Sequence, residues 1–199
     1  GGSSKPAPST LTLKGEGELD GHIAHFSGGT NLYGISNGGD SIQVGSSYNW
    51  GDATQIGFKG FLSFDLSTIP SGIAITSVTL RVYQCHISGD PYGKLGNLLV
   101  EHVSYDTFVH SADGTILYDM AALDDTIPAT PLLSTDTTLG YKTLDVTYAV
   151  RSDLATSRSH AQFRISFEKE TASDNTSNII SWQSGESDTN QPELVIVYN

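Results

Sequence analysis

The stretch Gly57–Cys85, GFKGFLSFDLSTIPSGIAITSVTLRVYQC, constrains the chain more than any other. Two apolar runs with alternating side-chain character flank a Pro-Ser-Gly turn. In a strand, successive side chains leave opposite faces, so alternation marks a β-strand with one face buried. In the first run Phe58, Gly60, Leu62 and Phe64 share a face, and Lys59, Phe61 and Ser63 take the other. In the second, Leu80 and Val82 point one way and Arg81, Tyr83 and Cys85 the other. Pro70 fixes its own φ and Gly72 tolerates a turn, so the chain is expected to reverse there. The arrangement raises one question: why two basic side chains sit inside the most strand-like segment of a chain with few of them.

The rest of the chain repeats the pattern. LTLKGEGELDGHIAHF gives a first strand or two, SIQVGSSY a short strand, and NWGDATQIG a loop carrying Trp50. NLLVEHVSY, AQFRISF, NIISWQS and PELVIVY read as further strands, with Phe163, Ile165 and Phe167 inward and Arg164 and Ser166 outward. Residues 106–140 show no clear period; SADGT and IPATP read as turns within them. KTLDVTYAVRSDL begins as a strand ending near Val146, and Asp145 or Thr147 then caps a single helical turn through Leu154. Short strands joined by turn clusters, with one plausible helix, predict an all-β antiparallel β-sandwich. Residues 1–10, GGSSKPAPST, read as a flexible linker or expression remnant, and 11–199 as one domain.

The formal net charge is −12, from 22 acidic against 10 basic side chains. Nucleic acids and anionic membranes need a positive field, so neither is expected as a partner. No apolar run approaches the length of a membrane span, so no membrane insertion is expected. The single Cys85 excludes an internal disulfide and reads as a buried thiol.

Several stretches together resemble the DNRLRE (disaggregatase-related) domain family of extracellular jelly-roll modules. They are GGDSIQVG, FLSFDLSTIPSGIAITSVTLRVY, LDVTYAVRSDL, FRISF and ISWQSGESDTNQPELVIVY, spanning roughly residues 18–198. Ser184, Glu186, Pro192, Leu194 and Tyr198 carry the closing part of the signature. Ser157 to His160 stand where a Trp often follows the helical turn in that family. The resemblance implies a jelly-roll fold and a non-catalytic module at the cell surface or outside the cell. Some members bind polysaccharides, alginate among them; others act as spacers. In the family's register Lys59, Arg81, Tyr83 and Arg164 all project from the side opposite the core. If their strands are neighbours, three cations and a phenol share one face suited to carboxylate or sulfate recognition. The alternative is cross-strand pairing with Glu101, Asp145 or Glu168.

Aromatic side chains in loops are the second set suited to sugars, because sugar rings present apolar C–H faces for stacking. Tyr33, Tyr48, Trp50 and Tyr92 are read as loop aromatics, with Tyr48 and Trp50 the chosen ligand contacts; Trp182 is read as core. The loops are also rich in oxygen donors for a hard cation. Asp20, Asp40 and Asp52 are the expected Ca²⁺ ligands, with Asn37, Asp174, Asn175 and Asp188 in similar settings; Asx turns are the competing explanation for each. Gln84 and His86 imitate the Gln-x-His of jelly-roll lyases and are expected on the core-facing side with Leu80 and Val82, so no catalytic role is assigned and the chain is read as a non-enzyme.

Two functions follow as expectations. The first is a carbohydrate-binding module of a secreted or cell-surface protein. The second is a structural module of the cell surface or matrix, self-associating or joining neighbouring modules through edge strands, with STLTLKGEGEL as a possible donor strand. Open cations around Arg81 favour the first; a salt-bridged or covered face favours the second.

Overall fold

The computed structural model describes residues 7–27, 32–36, 38–106, 117–123 and 132–199. The expected turns SADGT and IPATP, and Asn37, lie outside the described residues. Among the described residues twelve strands form: β1 (Ser9–Lys14), β2 (Gly21–Phe26), β3 (Leu32–Ser36), β4 (Ser41–Asn49), β5 (Thr54–Asp65), β6 (Ile75–Ser88), β7 (Leu98–Val103), β8 (Leu132–Ser134), β9 (Gly140–Asp145), β10 (His160–Phe167), β11 (Asn178–Gln183) and β12 (Glu193–Tyr198). Among the helical segments of the described residues are α1 (Pro91–Leu95) and α2 (Thr147–Ala155). All strand pairings are antiparallel. The fold is therefore all-β and antiparallel, as alternation predicts. β1 already begins at Ser9, inside the expected linker.

One hydrogen-bonded path connects β1-β12-β6-β11-β4-β5-β10-β7-β8, with β2, β3 and β9 branching from it. The two long strands of the opening segment organise it. β5 pairs β4 through residues 54–58 and β10 through 60–65, while β2 runs along its other edge. β6 does the same with β12 and β11 on one edge and β9 on the other. Each long strand thus passes from one partner to the next, and the sheet curls. Its inner face buries Ile42, Val44, Leu62, Phe64, Leu80, Val82, Phe163, Ile165, Ile180, Trp182, Leu194 and Ile196 in one cluster. Leu62, Phe64, Leu80, Val82, Phe163 and Ile165 are the inward positions that alternation assigns, whereas Phe58, assigned to the same face, is only half-buried and lies outside the cluster.

The outer face departs from expectation at Phe61. It is fully buried in a second cluster with Ile23, Val103, Tyr105, Leu117 and Tyr118. Tyr105 and the segment around Tyr118 cover the outside of β2, β5 and β7, so β5 is apolar on both faces there. α2 is longer than the single turn expected. Asp145 accepts from the Thr147 N–H (2.9 Å) and hydroxyl (2.6 Å), and Thr147 Oγ1 in turn accepts from the Val78 N–H (2.9 Å). Further along, buried Asp153 accepts from Arg158 Nη1 (3.0 Å) and lies 2.8 Å from His102 Nε2, locking α2 to β7.

Candidate cleft over β5 and β10

β5 and β10 are neighbours with Arg164 opposite Phe61, which brings Lys59 and Arg164 to one side of the sheet. They border a cleft of about 450 Å³, together with Glu101, Tyr118, Ser166 and Glu170. Its floor depends on Gly57. A β-carbon there would stand 2.6 Å from Glu170 Cγ and 2.7 Å from the Tyr118 hydroxyl, so only a glycine lets both side chains lie on the strand. A glycine inside a strand signals such a close approach.

Two of the three cations lining the cleft, Arg164 and Lys59, are engaged; the third, Lys169, is exposed. Arg164 is 5% exposed. Its guanidinium donates to Glu101 (2.7 Å) and to the carbonyls of Tyr118 (3.0 Å) and Met120 (2.7 Å). Lys59 Nζ donates to the Tyr118 carbonyl (3.0 Å), lies 4.0 Å from the centre of that ring, and is 3.8 Å from Asp119. Burial, and then the Arg164 guanidinium, hold the Lys59 ammonium below its ordinary value. Arg164 does project away from the core, as expected, but it is buried and not on an exposed face, because the segment covering Phe61 takes its hydrogen bonds.

His25 and Tyr33 pack behind Tyr118, outside the lining of the cleft. His25 stacks on Tyr33 with ring centres 4.6 Å apart, and Tyr118 packs on both. His25 Nδ1 pairs with Glu170, and the Tyr33 hydroxyl donates to Asp119 (3.1 Å). Burial, then the negative charge of Glu170, raises the Tyr118 phenol far above its ordinary value, so it stays protonated. The Tyr118 hydroxyl and His25 Nε2 are buried without a hydrogen-bond partner among the described residues. Tyr118, Glu170 and His25 were not singled out by the sequence as ligand contacts. Tyr118 lies in the stretch without period, and Glu170 in a polar turn after β10.

Arg81 and Tyr83 do not join this group, because β6 lies among β12, β11 and β9. Arg81 faces Glu193 across the ladder, donates to it (2.7 Å), and stacks 4.2 Å from the Tyr141 ring. Glu193 also takes Lys14, and Tyr83 packs edge-on against Tyr141. The single cationic face expected from the register is therefore two separate places, and the Arg81 place is salt-bridged.

Trp50 and Tyr48 stand at the end of the β4–β5 hairpin, rings 4.7 Å apart and nearly perpendicular. Trp50 is 77% exposed. Tyr48 is the cross-strand partner of Gln55, on the strand that continues into Gly57 and Lys59. Of the other two aromatics, Tyr33 is in β3 and Tyr92 in α1, where it packs on Phe167. Gln84 is buried, accepting from the Tyr92 hydroxyl, whereas His86 is exposed. A register shift opposite Ser181 and Trp182 puts Cys85 out of step and turns His86 away from Gln84's face.

Asp20, Asp40 and Asp52 do not converge. Among the described residues no group of three His, Cys, Asp or Glu side chains could hold a metal ion. Asp52 makes an Asx turn to Thr54, as the competing explanation has it, and Asp40 is exposed. Asp20 is wholly buried. Burial, opposed by the Gly185 N–H bond and reinforced by Glu186, pushes its carboxyl up to about 8. No protein-family model matches the chain and none of the curated proteins does, so the family resemblance rests on its motifs and any activity must be argued from the geometry.

Proposed function

We propose that the protein is an extracellular carbohydrate-binding module that takes a polysaccharide chain into the cleft over β5 and β10, with Trp50 and Tyr48 stacking on a sugar ring at the hairpin end. The observation that carries this reading is the cleft itself. Its volume lies in the usual range of ligand pockets. Phe58, Tyr118 and Phe167 line it, with Glu101, Ser166 and Glu170 as polar groups among them. Sugars need this mixture of flat apolar faces and fixed hydrogen bonds.

The charge balance favours a neutral glycan. Arg164 is matched by Glu101 and Lys59 by Asp119, and Glu168 and Glu170 outnumber the remaining cation, Lys169. On a chain of net charge −12 little positive potential remains for uronic or sulfated chains. Affinity electrophoresis across neutral and acidic polysaccharides tests this. Retardation by a neutral glycan, insensitive to salt and weakened by Trp50→Ala and by Tyr118→Phe, is the expected result. Retardation only by acidic glycans, abolished by salt, would reject the neutral reading; no retardation by any would reject binding.

A second reading has one observation in its favour. The Arg81 face is salt-bridged, the condition set for a structural module. The candidate donor strand, however, is already β1, paired with β12 of its own chain. Assembly would therefore use β1's outer edge, and light scattering showing concentration-dependent oligomers of the wild-type chain would support it over glycan binding.

A further inference from the structure

Asp20 follows a short 3₁₀ turn, Gly17–Leu19, that leads from β1 into β2. Its Oδ2 accepts from the Gly185 N–H (2.6 Å), tying it to the turn between β11 and β12. Its Oδ1 is buried and has no hydrogen-bond partner, although the residue is 0% exposed. Glu186 comes from that same turn, and its Oε2 is likewise buried and unpartnered. The backbone is cleared of side chains around both. A β-carbon on Gly17 would stand 2.4 Å from Glu186 Cδ. One on Gly185 would stand 2.6 Å from the Gly15 carbonyl oxygen and 2.9 Å from Asp20 Oδ2.

The other charged group nearby is Glu16, which is already engaged: Ser63 donates to it (2.8 Å) and His160 lies 3.4 Å away. The nearest rigid donors are also used elsewhere. The Tyr105 hydroxyl donates to the Leu19 carbonyl (2.8 Å), and the Ser184 hydroxyl donates to the Gly39 carbonyl (2.6 Å). Asp20 and Glu186 thus meet in a buried place where the proton held on the Asp20 carboxyl is what lets the two side chains hydrogen-bond to each other. A buried carboxyl pair of this kind is relieved either by a shared proton or by a cation that takes the proton's place.

We infer that Asp20 and Glu186 hold a divalent cation, Ca²⁺ by the all-oxygen chemistry of the place, with backbone carbonyls of the glycine-rich turns and water completing the shell. A hard cation of this kind takes oxygen ligands and tolerates irregular geometry, which suits two carboxylates supplied by separate turns. The site differs from the expected trio, since Asp40 and Asp52 take no part. It is also independent of the glycan reading, because neither Asp20 nor Glu186 lines the cleft.

Terbium luminescence tests it, with Tb³⁺ as the probe and Tyr105 as the sensitiser beside Leu19 and Asp20. The expected result is a saturable signal displaced by Ca²⁺, weakened at least about tenfold by Glu186→Gln and by Asp20→Asn, and unchanged by Asp52→Asn. Calcium at a hundredfold excess over its dissociation constant should raise the wild-type Tm by about 5–10 °C. If Asp20→Asn does not fold, Glu186→Gln and the wild-type titration decide. No saturable signal and a Tm indifferent to calcium and chelator would overturn the inference. So would a signal that survives Glu186→Gln, or an infrared band of a shared carboxyl proton that calcium leaves in place.

Discussion

Five aspartates among the described residues do the same small thing. In Asp52-x-Thr54, Asp65-x-Ser67, Asp136-x-Thr138, Asp145-x-Thr147 and Asp174-x-Thr176, the carboxylate accepts the N–H of the residue two positions on. Four are held below the ordinary carboxylate range: Asp65 by the N–H and then the hydroxyl of Ser67, Asp136 by Lys142 and then Thr138, Asp145 and Asp174 by the Thr147 and Thr176 hydroxyls first. A depressed carboxylate binds its proton more readily in the unfolded chain. Its contribution is therefore present above about pH 4 and is lost as pH falls through the folded-state value. The Tm should drop on acidification below about pH 4, and the Asp65→Asn, Asp145→Asn double variant should show a shallower drop; equal slopes in thermal melts would reject this origin. These turns were legible because donor and acceptor sit two positions apart. The Asp20 environment was not, because its partner Gly185 is 165 positions away.

At the level of elements, alternation placed Leu62, Phe64, Leu80 and Val82 correctly, since period two decides which face a strand residue takes. It cannot say what covers the other face. Phe61 was assigned outward and is outward, yet Leu117 and Tyr118 bury it. Phe61→Ala should then cost about 3–5 kcal/mol in denaturant unfolding, the loss of a core aromatic rather than of a surface one. A loss under about 1 kcal/mol would mean the cover is not packed on β5. The same cover explains why two basic residues stand in or beside the opening strands. Lys59 and Arg164 hold the cover down through the Tyr118 and Met120 carbonyls, while Arg81 fastens β6 to β12 through Glu193. Cross-strand pairing of Arg164 with Glu101 was among the alternatives open from sequence, because directly opposed side chains are the unit of sheet stabilisation.

Across the whole molecule, the curl of the sheet joins segments that no local pattern connects. β6 takes β9, β11 and β12 as neighbours, and β12 takes β1. Turn chemistry and period specify each strand, but the order of strands depends on which faces close over one core. That is why the all-β class was legible and the division of Lys59 and Arg164 from Arg81 was not. Removing residues 1–14 should test the end of this order. It strips Leu13 from the core, leaves Glu193 without Lys14 and bares the edge of β12. A loss of about 2–4 kcal/mol with a rise in aggregation is expected in unfolding and light-scattering measurements; unchanged stability would mean β1 contributes little.

The pairing of β1 with β12 also decides how the domain answers a mechanical pull. Ser9 stands opposite Tyr198, and Lys14 opposite Glu193, so both chain ends leave the ladder from the same side. Tension applied between them runs across the strands and parts the hydrogen bonds in succession, beginning at Ser9 and Tyr198. No load is shared along the ladder, as it would be if the ends left from opposite sides. The first rupture in single-molecule stretching should therefore come at low force and release only the β1 segment, ahead of the core. A single high-force event that releases the whole chain at once would show that the load takes another route.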